Sequence, residues 1–363
     1  MKKIFATVLA FACAATVISC SNSKGTVTEG NTSKMDSLSY CLGANVGYGV
    51  KGDMGDIPFD LELVKKGMKD GALAKAKQTH DEAVELLRDY FMNQLRERRE
   101  ALEAQKADST FTGEYVNLFA TEEEKENISY AFGNDIGHNI RSSKLPLQTY
   151  WIIKGFGDAY EGSTEVAEQE IPQYLQHYFM VVRPRLAAER SAAWLEKLEK
   201  KSGVKKTESG LLYKIVKAGD MEKAAKTDDD RVKVHYVGRL QDGTVFDASK
   251  FENRSKEQQE QLRKYRPEMF DEKGNLVEPE HGVEFQLKRV IKGWTEGMKL
   301  VGPGGKIILY IPAELAYGAR GAGRDIGPNE ALEFEVELLE VEPYADPAVD
   351  ASGNNVETTE PAQ

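Results

Sequence analysis

The sequence has little cysteine, little histidine and no dense basic segment. Only three of its 363 residues are cysteine and five are histidine. The cysteines do not cluster with histidine, so neither a disulfide framework nor a zinc site is expected. Asp and Glu outnumber Lys and Arg by 59 to 48, which gives a formal net charge of −11 at pH 7. Because binding of a phosphate backbone needs clustered positive charge, nucleic acid is not expected as a partner.

The remaining composition is that of a folded protein with several domains. Apolar residues make up 40% of the chain and charged residues 29%. These fractions are typical of globular proteins and unlike those of disordered or collagen-like chains. A length of 363 residues exceeds what one small domain needs and predicts two or three domains.

The first residues have the pattern of an export signal. Lys2 and Lys3 precede an apolar run over residues 4–18. This run is too short for a comfortable membrane span but suits the core of a signal peptide. We therefore expect residues 1–19 to be a targeting segment rather than part of the folded protein.

The end of this segment resembles a bacterial lipobox, with the sequence Val-Ile-Ser-Cys at residues 17–20. The resemblance implies that Cys20 is lipidated and becomes the first mature residue. Acyl chains would then be the sole attachment to a membrane in the cell envelope, expected to be the outer membrane facing the periplasm. An ordinary secretory signal with an incidental cysteine is the alternative. The polar residues 20–33 predict a flexible tether.

A repeat follows, between residue 34 and about residue 190. Leu-Ser-Tyr-Cys-Leu-Gly at 38–43 reappears as Ile-Ser-Tyr-Ala-Phe-Gly at 128–133, and Lys-Gly at 66–67 reappears at 154–155. Two apolar stripes with helical spacing also match: Ala83, Leu86, Leu87, Tyr90 and Phe91, and Ile171, Tyr174, Leu175, Tyr178 and Phe179. We predict two helical units, residues 34–105 and 121–184, with the stripes in the core. A ligand groove is the alternative for the stripes.

Four glycines recur with the repeat and predict close helix packing. Gly43 and Gly47 correspond to Gly133 and Gly137. No Lys-Ser or Lys-Thr pair follows them, so they do not form a phosphate-binding loop. The Ala/Glu/Lys/Leu-rich residues 185–202 then predict a helical stalk.

From Gly210 onward the apolar residues alternate with a period of two. The segments 211–216, 232–237, 306–311 and 331–338 therefore predict antiparallel strands, and a short helix is expected between residues 290 and 300. The predicted fold class is α+β: two all-α repeat units and a stalk, followed by an antiparallel β domain over residues 203–342.

The motifs of the β domain, taken in order, resemble those of the FKBP-type peptidyl-prolyl isomerases. They are VHYVG at 234–238, DGTVFDAS at 242–249, VIKGW at 290–294, AYG at 316–318, IGPNEAL at 326–332 and FEVELL at 334–339. The resemblance implies a β half-barrel wrapped on a short helix. With its helical region, the whole chain is similar to the macrophage-infectivity-potentiator subclass, whose N-terminal helices dimerise. Because the helical unit is present twice, a homodimer and an intramolecular pseudo-dimer both remain open.

The resemblance also implies a proline-binding pocket floored by Trp294. It gives catalytic positions to Asp247, Tyr317, Phe246 and Tyr236. It assigns the walls that contact substrate to Val290, Ile291, Phe285, Val283, Ile326 and Phe334. Val283 stands where many relatives carry an aromatic residue, which predicts a shallower wall. Taken singly, each aromatic residue has core packing as the alternative.

The chemistry implied by this pocket needs no covalent step. Rotation about an X–Pro bond crosses a barrier of about 18–20 kcal/mol because it breaks amide resonance. The twisted amide has less charge separation than the planar one, so an apolar pocket favours it and no cofactor or metal is required. The implied substrates are proline-containing unfolded or nascent exported proteins. Macrolides of the FK506/rapamycin class are expected to fit the pocket. A folding chaperone that holds unfolded chains is the alternative function.

An insertion and a tail depart from the compact domain. Residues 250–282 are highly charged and nearly neutral overall, and Ser255 predicts the cap of a helix running to Tyr265. A connection this long is usually functional or mobile. We hypothesise a flap that influences which chains enter the pocket, with a solvated excursion as the alternative. The polar residues 343–363 predict disorder.

Overall fold

We describe the protein from a computed structural model. The structure describes residues 27–143, 145–277, 280–323 and 325–344. The predicted signal peptide, Cys20 and nearly all of the predicted tail 343–363 lie outside the described residues. The chain divides into two compact units, Met1–Pro184 and Arg185–Gln363. Among the described helices, none is both long and apolar enough to span a bilayer.

The first unit is helical, and side chains cap the starts of its helices. Asp36, Asp60, Thr79 and Thr121 each accept a hydrogen bond from a backbone N–H in the following turn, which satisfies donors that a helix leaves free. One π-helical turn, Tyr90–Gln94, joins α3 to α4. The helices are α1 (Ser37–Met54), α2 (Leu61–Ala72), α3 (His80–Asp89), α4 (Leu95–Ala107), α5 (Glu122–Ser142), α6 (Thr149–Glu161) and α7 (Glu170–His177).

Helices of one predicted copy pack against helices of the other. Helix α1 packs on α6, and α2 packs on α5. A Cβ atom at Gly43 of α1 would overlap the carbonyl of Ile152, and one at Gly133 of α5 would overlap the carbonyl of Val64. Gly43 and Gly133 are 90 residues apart in the chain, and Val64 and Ile152 are 88 apart, so the second contact repeats the first. The close approach confirms the packing role predicted for the repeated glycines.

Two tyrosine hydroxyls form equivalent hydrogen bonds between the two predicted copies. Tyr40 donates to Asp158 at 2.9 Å, and Tyr130 donates to Asp70 at 3.0 Å. Each hydroxyl also accepts a backbone N–H, at 2.8 and 3.2 Å respectively. Burial is the main reason that the pKa of Tyr40 is raised, to about 12, so this hydroxyl remains a donor at neutral pH.

The apolar stripes belong to a single core, as predicted. Tyr90 is fully buried and Ile171 is 1% exposed, and residues of both stripes pack in one cluster. The rings of Phe59 and Phe132 stack at 5.0 Å within it. Cys41 is 2% exposed in the same core, and burial raises the pKa of its thiol to about 11. This thiol is therefore a protonated apolar residue at neutral pH.

The described end of the predicted tether is held by the helical unit. The backbone N–H of Thr28 donates to Leu147 at 2.9 Å, and that of Thr149 donates back to Thr28 at 2.8 Å. The indole of Trp151 donates to the Asn31 carbonyl at 2.7 Å. Residues 28–31 are therefore bound to the helical unit, which differs from the predicted flexible tether. The largely buried indole N–H of Trp151 needs an acceptor, and the backbone of this segment supplies it.

The second unit is an antiparallel sheet in the order β1-β2-β6-β7-β3-β4, with β5 also paired to β3. One edge of β3 pairs with β5 through Arg231–Val234 and with β4 through Val237–Arg239. The strands are β1 (Lys205–Lys206), β2 (Leu212–Lys217), β3 (Arg231–Arg239), β4 (Val245–Ala248), β5 (Val283–Gln286), β6 (Gly305–Ile311) and β7 (Leu332–Glu342).

Three helices accompany this sheet: α8 (Arg183–Glu199), which follows the π-helical turn Tyr178–Val182, α9 (Lys256–Tyr265) and α10 (Lys292–Gly297). Gly293 and Gly297 let α10 lie directly on β6, where a Cβ would meet side chains of Ile311 and Leu309. The helical region followed by an antiparallel sheet on a short helix confirms the predicted fold class.

The stalk helix α8 packs on the sheet rather than standing free in solvent. Trp194 meets Tyr310 of β6 edge to face at 5.7 Å. Leu198 and Leu212 are buried beside them. Glu196 and Lys200, on the exposed side, form the i,i+4 pair expected of a solvated face, at 2.7 Å.

The insertion contains the predicted capped helix. Ser255 accepts from the Gln258 backbone N–H at the start of α9. Phe251 and Phe270 meet at 5.1 Å, and the guanidinium of Arg263 lies over both rings at 4.9 and 4.8 Å. The described part of the insertion therefore has a small aromatic cluster of its own.

Candidate active site

Four aromatic rings, each from a different strand, pack at the indole of Trp294. Three of them contact the indole directly, and the fourth lies behind one of these three. Trp294 of α10 is 4% exposed. Its ring centroid lies 5.3 Å from that of Tyr236, 5.5 Å from that of Phe285 and 5.2 Å from that of Phe334, all nearly edge to face. Phe246 packs behind Phe334 at 5.5 Å. These edge-to-face contacts form an aromatic cluster around the indole, at the place where the resemblance implies the apolar recess for proline.

Gly238 of β3 makes this arrangement sterically feasible. A Cβ atom there would lie 2.6 Å from the Phe246 ring and 2.9 Å from the Phe334 ring. Any larger residue would displace one of these rings. The sequence motif contains this glycine, but only the packing shows its role.

A hydrogen-bonded pair lies at the rim of the recess. The Tyr236 hydroxyl donates to Asp247 at 2.6 Å, and Asp247 is exposed. Burial, and then the hydrogen bond to this carboxylate, raise the pKa of Tyr236. The hydroxyl therefore stays protonated, and the Asp247 carboxylate is fixed in orientation beside the aromatic rings.

Tyr317 lies near the same carboxylate. Burial and the negative charge of Asp247 raise the pKa of Tyr317, yet its side chain remains 39% exposed. A protonated, accessible hydroxyl at this position can donate a hydrogen bond to a ligand. Ile326, on the loop that follows, is 6% exposed and packs in the same apolar cluster as Trp294.

The remaining wall residues differ in how closely they join the recess. Val290 and Ile291 directly precede α10 and pack partly buried against the Trp294 cluster. Val283 lies on β5 two residues before Phe285, so both side chains point to one face of the strand. Val283 is 37% exposed. The other predicted wall residues pack in the same cluster as Trp294, whereas Val283 is more exposed.

The indole nitrogen of Trp294 is buried and has no hydrogen-bond partner within the described part of the chain. Such a donor costs free energy unless a ligand or water satisfies it. The same described residues contain no group of three or more His, Cys, Asp or Glu that could hold a metal ion. The groups that the structure places at this site are aromatic rings, the exposed Asp247 carboxylate and the hydroxyls of Tyr236 and Tyr317.

The insertion contacts the rim of the site next to β4. The sequence predicted the insertion only to emerge near the pocket. Gln258 of α9 donates to the backbone carbonyl of Phe246 at 2.8 Å. A recess of about 240 Å³ lies between β4 and the insertion, lined by Asp247, Arg254, Gln258, Gln261, Leu262 and Tyr265. The predicted helix cap at Ser255 indicated the helix, but no local signal indicated its contact with β4.

Two family models match the chain. Residues 222–339 match the model described as FKBP-type peptidyl-prolyl cis-trans isomerase. Residues 35–117 and residues 125–215 both match the model of the domain amino terminal to FKBP-type peptidyl-prolyl isomerase.

Similar proteins come from several bacteria. A probable FKBP-type peptidyl-prolyl cis-trans isomerase of Haemophilus influenzae is 35% identical over 243 residues, which are 61% of this chain and 88% of that protein. Outer membrane protein MIP of Legionella longbeachae is 31% identical over 237 residues, 61% of this chain and 88% of that protein. The crystal structure of FkpA from Escherichia coli is 33% identical, covers 62% of this chain and 99% of that one, and has a TM-score of 0.39.

Proposed function

The chain belongs to the FKBP-type peptidyl-prolyl cis-trans isomerases, and we propose that it accelerates X–Pro rotation in exported proteins at the recess based on Trp294. The observation that carries the proposal is the aromatic enclosure, with three ring centroids within 5.5 Å of the indole. A prolyl ring on the indole would be surrounded by apolar surface and shielded from water. Since the twisted amide is less polar than the planar one, this environment lowers the barrier selectively.

The rim residues orient the substrate chain. Tyr317 would donate its accessible hydroxyl to a substrate carbonyl. Asp247, held by Tyr236 at 2.6 Å, would present a polar oxygen near the rotating bond. The walls Val290, Ile291, Phe285, Val283, Ile326 and Phe334 would contact the residues on either side of the prolyl ring.

Replacing Asp247 by Leu tests this assignment. The change removes the carboxylate that accepts from Tyr236 and leaves the Tyr236 hydroxyl without that partner. Loss of a hydrogen bond to a charged group is worth about 1.5 kcal/mol or more, so we expect kcat/KM for a short proline peptide to fall about tenfold or more. Asp228→Leu is the control, because Asp228 is exposed and pairs with Lys299. Equal activity of Asp247→Leu and wild type would exclude Asp247 from the mechanism.

The same recess would accept macrolides of the FK506/rapamycin class, since these ligands present an apolar ring of proline-like size to such a pocket. Support comes from the aromatic rings of Tyr236, Phe285 and Phe334 that pack around the indole. Competition between a macrolide and the proline peptide tests this directly. Binding of the macrolide without inhibition would show that it occupies a different surface.

We place the protein in the cell envelope, held by a lipid on Cys20. The basic and apolar start of the chain and the lipobox-like residues 17–20 support this, and one relative carries the name outer membrane protein. Its clients would then be proline-containing proteins that fold after export. Labelling of cells with a fatty-acid analogue tests the anchor, with Cys20→Ser as the variant that should lose the label and leave the membrane fraction.

We also infer that the helical unit is a duplication whose two copies pair within one chain. Support comes from the two segments that match one family model and from the reciprocal contacts of Gly43 with Ile152 and of Gly133 with Val64. Because each copy already covers the glycine face of the other, a second chain is not needed. The soluble form lacking residues 1–20 is expected to have the molar mass of one chain by light scattering. A mass of two chains would contradict intramolecular pairing.

One observation favours an additional holding function. Met92 and Met180 occupy equivalent positions of the two copies and are 52% and 65% exposed. Flexible exposed thioethers suit binding of varied apolar segments. If this surface holds unfolded chains, Asp247→Leu should still suppress aggregation of a client, whereas Met92→Gln with Met180→Gln should not.

A further inference from the structure

A buried polar cluster joins the stalk helix α8 to the isomerase domain. Ser191 of α8 is 5% exposed and Glu330, in the loop before β7, is 2% exposed. Both lie in the second unit. Neither residue has a place in the pocket described above, and buried polar groups of this kind cost free energy unless they are hydrogen-bonded.

Ser191 makes three hydrogen bonds across this junction. Its hydroxyl donates to the carbonyl of Asn329 at 2.8 Å and accepts the backbone N–H of Ala331 at 3.0 Å. The side-chain amide of Gln241 donates to the same oxygen at 2.6 Å. One hydroxyl on the stalk therefore holds the end of the loop before β7 and the turn between β3 and β4.

Glu330 completes the cluster. Its carboxylate accepts from Gln241 at 3.0 Å and lies 3.4 Å from the guanidinium of Arg190, also on α8. A carboxylate so deeply buried is stable only with such partners. The helix and the two loops are thus connected by charge-assisted as well as neutral hydrogen bonds.

Both loops adjoin residues of the proposed pocket. The turn holding Gln241 leads directly into β4, which bears Phe246 and Asp247. The loop ending at Glu330 begins after Tyr317 and contains Ile326. Their separation in sequence is large, but Ser191 contacts both within hydrogen-bond distance.

Within the second loop, Ala322 and Ile326 exchange backbone hydrogen bonds at 2.8 and 3.1 Å. Gly318, Gly321 and Gly323 have φ values of +56°, +64° and +57°, and Asn329 has a φ of +60°. Glycine at such values leaves the unconstrained backbone many alternatives, and a left-handed Asn is a strained position that its surroundings must hold. Because the Asn329 N–H donates to the Gly318 carbonyl at 2.9 Å, the anchoring of Asn329 by Ser191 extends to the residue that follows Tyr317.

We propose that Ser191, with Gln241 and Glu330, positions both pocket loops, so that helix α8 is a working part of the isomerase site. The inference rests on the proposed role of Tyr317, Ile326 and Asp247. Ser191 is a positioning residue: it acts through the loops and does not touch the substrate.

The test compares Ser191→Ala with Glu196→Gln in the full chain. Glu196 is on the same helix, but its carboxylate forms an exposed pair with Lys200. We measure kcat and KM for a proline peptide and hydrogen exchange at residues 318–331. Ser191→Ala should lower kcat/KM about fivefold and speed exchange in this loop, while exchange in β6 stays unchanged. Glu330→Gln, which keeps the shape of the side chain, should have the same effects if Ser191→Ala is poorly folded.

Three results would overturn the inference. They are unchanged kcat/KM in a folded Ser191→Ala protein, an equal decrease in Glu196→Gln, or a decrease with no change in loop exchange. An inactive wild type would instead refute the proposed function, and the exchange measurement would still report whether Ser191 holds the loop.

Discussion

Replacing Tyr236 by Phe removes one oxygen from the site and separates orientation of Asp247 from apolar enclosure. The ring contacts of Tyr236 with Trp294 at 5.3 Å and with Phe285 at 5.9 Å remain. Only the 2.6 Å hydrogen bond to Asp247 is lost. The recess keeps its shape, and the carboxylate becomes free to rotate into solvent.

The magnitude follows from the exposure of the partner. A hydrogen bond to a charged group contributes about 1.5–3 kcal/mol, but Asp247 is exposed and water replaces part of that loss. We therefore expect a destabilisation of about 1 kcal/mol and a decrease in kcat/KM of about fivefold. Because the pKa of Tyr236 is raised, its hydroxyl is protonated through neutral and mildly alkaline pH, and the wild-type rate should not change there through this group.

The assay is isomerisation of a short proline peptide, with denaturant unfolding measured on the same samples. Tyr310→Phe is the matched control, because Tyr310 packs on Trp194 at 5.7 Å and lies outside the aromatic recess. The reasoning is refuted if Tyr236→Phe retains full kcat/KM, or if Tyr310→Phe loses as much.

Two further predictions concern the helical unit. Gly43→Ala should destabilise this unit by about 2 kcal/mol or more, because the new methyl group overlaps the Ile152 carbonyl. Gly52→Ala in the same helix is the control: its methyl group has no atom within 4 Å and should stabilise the unit by up to about 1 kcal/mol. Similar unfolding midpoints for the two variants would contradict the packing. His138 stacks on His80 at 3.7 Å, and burial, then the charge of His80, lower its pKa to about 4. The folded unit therefore resists protonation that the unfolded chain accepts, so stability should fall as pH drops from about 6.5 toward 4, by about 1 kcal/mol after allowance for partial exposure. His138→Gln should flatten this dependence in denaturant titrations, and an unchanged pH slope would exclude His138 as its source.

Local patterns in the sequence identified most of the elements. The stripe spacing identified helices α3 and α7, alternation identified four strands, and Ser255 marked the start of α9 correctly. These succeed because periodicity and capping are properties of a few neighbouring residues. Strands β4 and β5 were not assigned, because each has only four residues and four residues carry little periodicity.

The site was predicted as a set of residues without its geometry. The order of motifs named Trp294, Phe246 and Asp247, and the structure places both rings in one aromatic cluster with Asp247 hydrogen-bonded to Tyr236 at its edge. The roles of these residues, and of Val283 in particular, stay predictions. Gln258 and Ser191 were not foreseen, since their contacts with the pocket loops join positions 12 and 138–140 residues apart.

The sequence by itself indicated the helical region and the segments that alternate as strands, and it predicted a helical unit that recurs at an offset of 88–90 residues. It did not determine that α1 pairs with α6 and α2 with α5, that residues 28–31 dock on Trp151, or that α8 anchors two loops of the pocket. An apolar stripe or a hydroxyl in the sequence indicates that the side chain needs a partner, but it does not identify that partner. The tertiary structure decides the partner, because glycine faces meet closely in it and buried donors such as the Trp151 indole N–H reach an acceptor.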